Sequence, residues 1–433
     1  MWLNFKEEVK DKLRRREYKP LLVVFFEVVL ILVFTFSLIN PNKDIFSLIS
    51  PIPVTRASSG NEVFGFAPYW KFDNLDNIDF SVLTTFAYFG IPVNPDGSLD
   101  TTDQGYATFK SDKASQIFSK AHKYGTKVVL TLTQMDNASI NSLMDSKDAQ
   151  NTTINEAIKE VKSAGIDGVN IDFEYVGNPG DDYKNKFSEF VYNFVQKLHR
   201  EVPNSRLTVS VYASSVKDPK IYDIPRIAKY SDGIFMMAYD FATSTSDEAI
   251  PTAPLYGHKE GKYWYDVATA VEDFLKIMPS NKLILGVPWY GYNYPVNSPS
   301  VKASVNQGYY TYYWYRYRRY SEYHSNSSVA QTYTFANDLI KESNTSIEKI
   351  TTGWDQYGQV GYKAYYDSDS GTWRMIFLED AKSMSIKYDF AKSKNLAGVG
   401  IWALGFDEGK KEMWTVLKEK FGQKLAVNAA EIQ

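Results

Sequence analysis

Eight short apolar runs, separated by stretches with helical periodicity, constrain the fold of this chain more than any other feature. Between two of the runs, residues 184–199 carry large apolar side chains at helical spacing, namely Phe187, Phe190, Val191, Phe194, Val195 and Leu198. Strands that alternate with helices build parallel sheets from βαβ units, and eight parallel strands close a barrel. We therefore predict an α/β fold, a (β/α)8 TIM barrel, whose strands cover residues 63–67, 84–89, 127–133, 168–173, 207–212, 233–238, 282–288 and 398–403.

The segments between and around these runs predict how the chain is divided. Residues 40–61 are rich in Ser, Pro and Asn without any periodicity, which is typical of a linker. The last two strands are separated by far more residues than an ordinary crossover needs, so we predict a small inserted module over residues 299–373. The barrel would then occupy residues 62–298 and 374–425, with a tail at 426–433.

Residues 21–39, near the amino terminus, contain only three residues that are not apolar, Glu27, Thr35 and Ser37. An apolar run of this length is long enough to cross a bilayer as one helix. Residues 1–20 are basic, and the positive-inside rule keeps such a segment in the cytoplasm, so the barrel would lie outside. We predict a transmembrane anchor at residues 21–39. The alternative is a signal sequence that is cleaved on secretion, although the apolar core of such a sequence is usually only about 7–15 residues long.

The composition excludes several classes of function. The formal net charge of -3 disfavours a nucleic-acid-binding surface, and the absence of Cys excludes disulfides and thiolate metal sites. The four His residues are scattered without the spacing of metal ligands, so we expect neither a metal nor another cofactor. The 32 Tyr and 9 Trp offer flat apolar faces of the kind on which sugars stack, although core packing accounts for most of them.

The run at residues 168–174 carries the strongest indication of chemistry. Side chains of a strand alternate between two faces, so Asn170, Asp172 and Glu174 share one face and apolar residues share the other. In a barrel, the apolar face would pack against the outer helices, and the polar face would point into the mouth where active sites lie. Two carboxyl groups on one strand do not easily flank a sugar bond. They suit cooperation beside it, in which one protonates the leaving oxygen and the other orients a neighbouring group.

This run resembles the active-site strand of glycoside hydrolase family 18, the chitinase-like enzymes, whose pattern is Asp-x-x-Asp-x-Asp-x-Glu. Asp167, Asp172 and Glu174 match three of its four acids, and Asn170 stands where the second Asp is usual. The Met-Ala-Tyr-Asp sequence at residues 237–240 and the Gly-Ile-Trp sequence at 400–402 are also similar to motifs of the family. The resemblance covers roughly residues 63–425 and implies that the inserted module is an α+β insertion.

The resemblance implies a retaining hydrolysis of β-1,4 bonds in N-acetylglucosamine-containing polymers, with the acetamido oxygen of the substrate as nucleophile. Both chitin-like oligosaccharides and peptidoglycan fit. Glu174 would be the general acid, Asp172 would orient the acetamido group, and the Tyr239 hydroxyl would hold it. Supporting roles would fall to Asn170, Asp240 and Met237, and substrate-binding roles to Trp402, Trp289, Tyr290, Tyr69 and Trp70. Residues 309–323, with eight Tyr, one Trp and three Arg, would form either a glycan-stacking wall or a packed hairpin or helix.

Two other functions are alternatives, and they do not explain Glu174 or the motifs equally well. A catalytically inactive sugar-binding protein of the cell envelope is the alternative function, but such a protein has no need of a general acid beside Asp172. A structural envelope protein would explain the anchor and not the motifs. Asn170 cannot share a proton with Asp172 as a second Asp would, so we expect an active enzyme with a narrower acidic range.

Overall fold

The computed structural model describes residues 62–315, 318–338 and 346–422, and its central feature is a closed barrel of parallel strands. The barrel strands are β1 (Glu62–Pro68), β2 (Thr85–Pro92), β3 (Lys127–Gln134), β4 (Gly168–Phe173), β5 (Arg206–Tyr212), β6 (Gly233–Met237), β7 (Leu283–Pro288) and β15 (Gly398–Trp402). Around the barrel they follow the order β1, β15, β7, β6, β5, β4, β3, β2. The predicted TIM barrel is confirmed, and each predicted run overlaps one barrel strand.

Helices lie between the strands along the chain. They are α1 (Gln104–Phe109), α2 (Asp112–Lys123), α3 (Asn137–Asp145), α4 (Lys147–Ala164), α5 (Asp181–Glu201), α6 (Ile224–Tyr230), α7 (Val267–Leu275), α8 (Tyr333–Asp338), α9 (Ala381–Ser393) and α10 (Glu412–Phe421). Short 3-10 helices span Tyr69–Asn77 and Ser280–Lys282. α5 contains the predicted helical segment at residues 184–199, and its six apolar residues are all buried as the spacing predicts.

The outward face of β4 forms part of the main hydrophobic core. Val169, Ile171 and Phe173 are fully buried, and the ring of Phe173 stacks on that of Phe190 from α5, with centroids 6.0 Å apart. The alternation of the strand therefore turns Asn170 and Asp172 towards the barrel interior, as the sequence predicts.

A second apolar cluster fills the barrel interior around Phe235 of β6. Its ring lies 5.4 Å from that of Phe64 and 4.8 Å from that of Phe66, both on β1. A Cβ atom on Gly286 of β7 or on Gly400 of β15 would come within 2.6 Å or 2.1 Å of this ring. The two glycines therefore leave the space that one large aromatic side chain occupies, which makes the barrel a packed core below its mouth.

The chain between β7 and β15 forms an antiparallel module. Its five-stranded sheet has the order β11 (Val329–Thr332), β8 (Tyr290–Val296), β14 (Thr372–Leu378), β13 (Val360–Asp367) and β12 (Ile347–Asp355). β9 (Gly308–Tyr315) pairs with β10 (Arg318–Ser325) as a separate hairpin. A hairpin is therefore present within residues 309–323, and two of its rings are largely exposed, with Trp314 74 % and Tyr312 56 % accessible.

The predicted anchor at residues 21–39, the linker and the tail at 426–433 all lie outside the described residues. Within residues 62–315, 318–338 and 346–422, no helix has both the length and the apolar character that crossing a bilayer requires.

Candidate active site

A pocket of about 570 Å³ lies at the carboxyl ends of the barrel strands. Its lining brings together seven of the predicted site residues, which are Asp172, Glu174, Met237, Tyr239, Asp240, Trp402 and Trp70. The lining omits Asn170, Tyr69, Trp289 and Tyr290. The carboxyl groups and the aromatic rings predicted from separate parts of the sequence therefore share one site.

Asp172 lies on the inner face of β4 and is only 3 % exposed. Burial raises the pKa of its carboxyl well above the usual range, the negative charge of Glu174 raises it further, and a hydrogen bond with Ser210 acts in the opposite direction. The Oδ1 atom of Asp172 is buried and has no hydrogen-bond partner in the part of the chain that the structure describes. A buried acceptor without a donor costs about 1–3 kcal/mol, so this atom suits a ligand that supplies an N–H or O–H group.

Asn170 lies two residues before Asp172 on the inner face of β4, where it is fully buried. Its Oδ1 accepts a hydrogen bond from the Thr208 hydroxyl at 2.8 Å, and its Nδ2 donates to the Ser210 hydroxyl oxygen at 3.0 Å. The Ser210 hydroxyl also lies 3.4 Å from Oδ1 of Asn170, and the hydrogen bond between Ser210 and Asp172 lowers the pKa of the Asp172 carboxyl. Ser210 thus connects the amide of Asn170 to the carboxyl of Asp172, and the amide adds no charge beside it.

Glu174 follows β4 directly, and its main-chain N–H donates to the carbonyl oxygen of Gln134 at 2.9 Å. Burial raises the pKa of its carboxyl. A hydrogen bond from Tyr212 lowers this pKa, the charge of Asp240 raises it, and the ammonium of Lys220 lowers it. A carboxyl group with a raised pKa keeps its proton nearer to neutral pH, which a general acid requires.

Tyr239 and Asp240 lie just after the end of β6, and both line the pocket. Burial raises the pKa of Tyr239 well above its usual range, and the charges of Asp172, Glu174 and Asp240 raise it further. Its hydroxyl therefore stays protonated and remains a hydrogen-bond donor. Asp240 has a left-handed backbone with φ of 57°, and its Oδ1 accepts hydrogen bonds from the hydroxyls of Tyr290 at 2.5 Å and Tyr292 at 3.1 Å.

Trp402, at the end of β15, forms the centre of an aromatic surface in the pocket. Its ring contacts Phe89 edge to face with centroids 4.6 Å apart, and it lies 6.3 Å from Trp70, which is 51 % exposed. Rings held edge to face by their neighbours have little freedom, so this surface is preformed for a flat apolar ligand face.

Three predicted substrate-binding residues have other roles in the structure. Trp289 is fully buried, and its ring packs against Trp414 of α10 with centroids 5.2 Å apart, so the prediction that it contacts substrate is wrong. Tyr290 is 7 % exposed and positions Asp240 rather than lining the pocket. Tyr69 packs edge to face on Trp70 at 5.0 Å and supports that ring from outside the lining.

Ser210, Tyr212 and Trp264 also line the pocket, although no motif of the sequence indicated them. Ser210 and Tyr212 stand on the same face of β5, and strand alternation predicts this for β5 as it does for β4. Trp264 lies in the long connection between β6 and α7, where no local pattern indicates its position.

Asp167, the first acid of the matched pattern, lies before β4 and away from the pocket lining. Its Oδ2 accepts a hydrogen bond from the main-chain N–H of Val128 at 2.8 Å and lies 2.7 Å from Nε2 of His122. Asp167 therefore joins β4 to β3 at the opposite end of the strand. Within the described ranges, no group of three or more His, Cys, Asp and Glu residues is arranged to hold a metal ion.

Comparisons with known sequences agree with the geometry of the site. The sequence model described as "Glycosyl hydrolases family 18" matches residues 62–407. Human di-N-acetylchitobiase is 26% identical over 355 residues, which cover 76% of this chain and 86% of that protein. The endochitinase of Manduca sexta is 24% identical over 324 residues, which cover 72% of this chain and 55% of that protein.

Solved structures share the fold. The Group IV chitinase of Ostrinia furnacalis superposes with a TM-score of 0.68 at 20% identity, over 84% of this chain and 100% of that chain. The spore cortex-lytic enzyme SleL of Bacillus megaterium superposes with a TM-score of 0.63 at 19% identity, over 86% of this chain and 76% of that chain. Because the family match includes every barrel strand and the pocket, the chain belongs to glycosyl hydrolases family 18.

Proposed function

We propose that this protein is a glycosidase that cleaves β-1,4 bonds of N-acetylglucosamine-containing polymers by a retaining, substrate-assisted mechanism. The observation that carries the proposal is the unpartnered Oδ1 of Asp172, which is buried in a pocket that also contains Glu174 and Tyr239. An acetamido group can donate its N–H to this oxygen, and its carbonyl oxygen can accept a hydrogen bond from the Tyr239 hydroxyl. The pocket is thus matched to an N-acetylated sugar.

In the proposed reaction, protonated Glu174 donates its proton to the glycosidic oxygen while that bond breaks. The acetamido oxygen of the same sugar attacks the anomeric carbon and forms a cyclic oxazolinium ion. Asp172 accepts the acetamido N–H, which orients the nucleophile, and its negative charge stabilises the cation. Glu174, now a carboxylate, removes a proton from a water molecule as the water oxygen attacks the anomeric carbon. The bond between this carbon and the acetamido oxygen breaks, and the configuration is retained overall. Trp402 would form the apolar floor beneath the reacting sugar.

We further propose that residues 21–39 anchor the protein in a membrane with the barrel outside the cytoplasm. The apolar run and the basic flank support this placement. An anchored enzyme facing outwards would act on glycans of its own envelope. Secretion after cleavage of the segment would produce the same catalytic domain in free form, and the mass of the mature chain distinguishes the two.

The test compares the full-length protein with Glu174→Gln, which keeps the shape of the side chain but cannot donate the proton. Release of a chromogenic leaving group from an N-acetylchitobioside and of reducing ends from N-acetylated peptidoglycan would be measured. Glu419→Gln, at an exposed position of α10, is the matched control. We expect turnover by the parent and the control and none by Glu174→Gln. Binding of these sugars without turnover by any of the three would instead identify a sugar-binding protein.

A further inference from the structure

Two separate aromatic surfaces face each other across the pocket. The first wall, formed by Trp70, Phe89 and Trp402, comes from the ends of β1, β2 and β15. The second wall, formed by Phe241 and Trp264, comes from the segment that follows β6. In the closed order of the barrel β6 lies opposite β2, so the walls stand on opposite sides of the mouth. The pocket therefore offers stacking surfaces for two sugars of one chain, one at each wall.

Trp264 of the second wall is fixed in place and yet exposed. Its Nε1–H donates to the carbonyl oxygen of Phe241 at 2.7 Å, and its ring stacks on the buried Tyr265 with centroids 5.6 Å apart and an interplanar angle of 25°. More than half of the side chain, 52 %, is nevertheless exposed. A rigid indole with an open surface in a polar-rimmed cleft is typical of a binding position, because its ordering is already complete before the ligand arrives.

Lys217 holds a positive charge beside this ring. It lies in the loop after β5, close in sequence to Ala213 and Ser214 of the pocket lining, and its ammonium is 6.0 Å from the Trp264 ring centroid and 5.4 Å from that of Tyr265. No carboxylate of the described ranges pairs with this ammonium within 4.0 Å.

Lys220, in the same loop, differs from Lys217. Its ammonium lies 3.1 Å from Asp218 and is 4.9 Å from the Tyr212 ring centroid. The charge of Lys220 is therefore compensated by a carboxylate, whereas the ammonium of Lys217 faces two aromatic rings and is paired with no carboxylate of the described ranges.

We propose that Lys217 and Trp264 form a subsite for an amino sugar that bears a carboxylate substituent, with the sugar ring on the indole and the carboxylate on the ammonium. The inference rests on the proposed function. A neutral chitin chain has no group that calls for a cation here, and the ionisable carboxyl groups of the pocket lining, those of Asp172, Glu174 and Asp240, are all acidic. A polymer in which N-acetylglucosamine alternates with N-acetylmuramic acid carries a lactyl carboxylate on every second sugar. The substrate class that this subsite fits is therefore peptidoglycan rather than chitin.

The test measures kcat/KM of the full-length protein on two matched tetrasaccharides of alternating N-acetylglucosamine and N-acetylmuramic acid, one with free lactyl carboxylates and one with these groups amidated. The quantity of interest is the ratio of the two values at low salt. Lys217→Gln should lower this ratio by about three- to fivefold, as expected for a partly exposed ion pair. Lys217→Arg, which keeps the positive charge, should have a ratio close to that of the parent. Lys123→Gln, at an exposed position of α2, is the control and should leave the ratio unchanged.

High ionic strength provides an independent measurement, because about 1 M salt screens an exposed ion pair and should bring the parent ratio down to that of Lys217→Gln. If the ratio for Lys217→Gln equals that of the parent, the subsite proposal is wrong. Turnover of the substrates by the parent would still support the glycosidase proposal. Cleavage of chitin oligosaccharides but of neither tetrasaccharide would overturn it as well. Failure of the parent to cleave any of these substrates would instead refute the proposed function.

Discussion

Removal of the Tyr212 hydroxyl tests whether Glu174 is the general acid and whether its environment sets its pKa. Burial raises the pKa of Glu174, and the hydrogen bond from Tyr212 is the strongest opposing influence because it stabilises the carboxylate. In Tyr212→Phe this stabilisation is lost, so the pKa of Glu174 must rise further. A general acid is active only while protonated, and activity is therefore retained to higher pH in the variant.

The size of the effect follows from the strength of the bond. A hydrogen bond to a charged group contributes about 1.5–3 kcal/mol, and about 1.36 kcal/mol corresponds to one pKa unit. Glu174 lines the pocket, so water partly replaces the hydroxyl and the lower end of this range applies. We expect the alkaline limb of the kcat/KM profile to move up by about one pH unit.

The assay is the pH dependence of kcat/KM for release of a chromogenic group from an N-acetylchitobioside. Tyr106→Phe is the matched control, because the Tyr106 hydroxyl also donates to a carboxylate, that of Glu160, at 2.9 Å, but outside the pocket. The control should keep the parent profile. An alkaline limb that stays in place or moves to lower pH in Tyr212→Phe would refute the assignment of Glu174 as the acid that Tyr212 tunes.

Three further predictions concern other parts of the structure. Asn170→Asp should extend activity to lower pH, because two neighbouring carboxyl groups that share one proton keep one negative charge at lower pH than a single group does; an acid limb identical to that of the parent would contradict this. Trp402→Ala should lower kcat/KM on chitin oligosaccharides by about ten- to a hundredfold, since about 1.5–3 kcal/mol of apolar contact with the sugar is lost, and unchanged steady-state kinetics would exclude the floor role. Lys387→Met should lower the free energy of unfolding, measured in urea, by about 3–5 kcal/mol, because the buried Glu379 carboxylate then lacks the ammonium that lies 2.9 Å from it. The double variant with Glu379→Leu should recover much of this loss.

Strand alternation accounts for the part of the site that was predictable. The pattern on β4 assigns Asn170, Asp172 and Glu174 to one face from neighbouring residues alone, and the structure has the first two inside the barrel and the third in the pocket. The same local rule, applied to β5, yields Ser210 and Tyr212. Periodicity carries this information because the pleat of a strand depends only on its own backbone.

The positions of Trp289 and Trp264 do not follow from strand alternation. Trp289 directly follows a barrel strand and was expected to face substrate, yet the approach of Trp414 from α10 buries it. Trp264 follows no strand, yet its stacking on Tyr265 and its bond to Phe241 bring it into the pocket. The sequence by itself determined the barrel, the face of the carboxylates and the place of Glu174 directly after β4. Only the tertiary structure decided which aromatic rings meet a ligand, because that depends on contacts between residues far apart in the sequence.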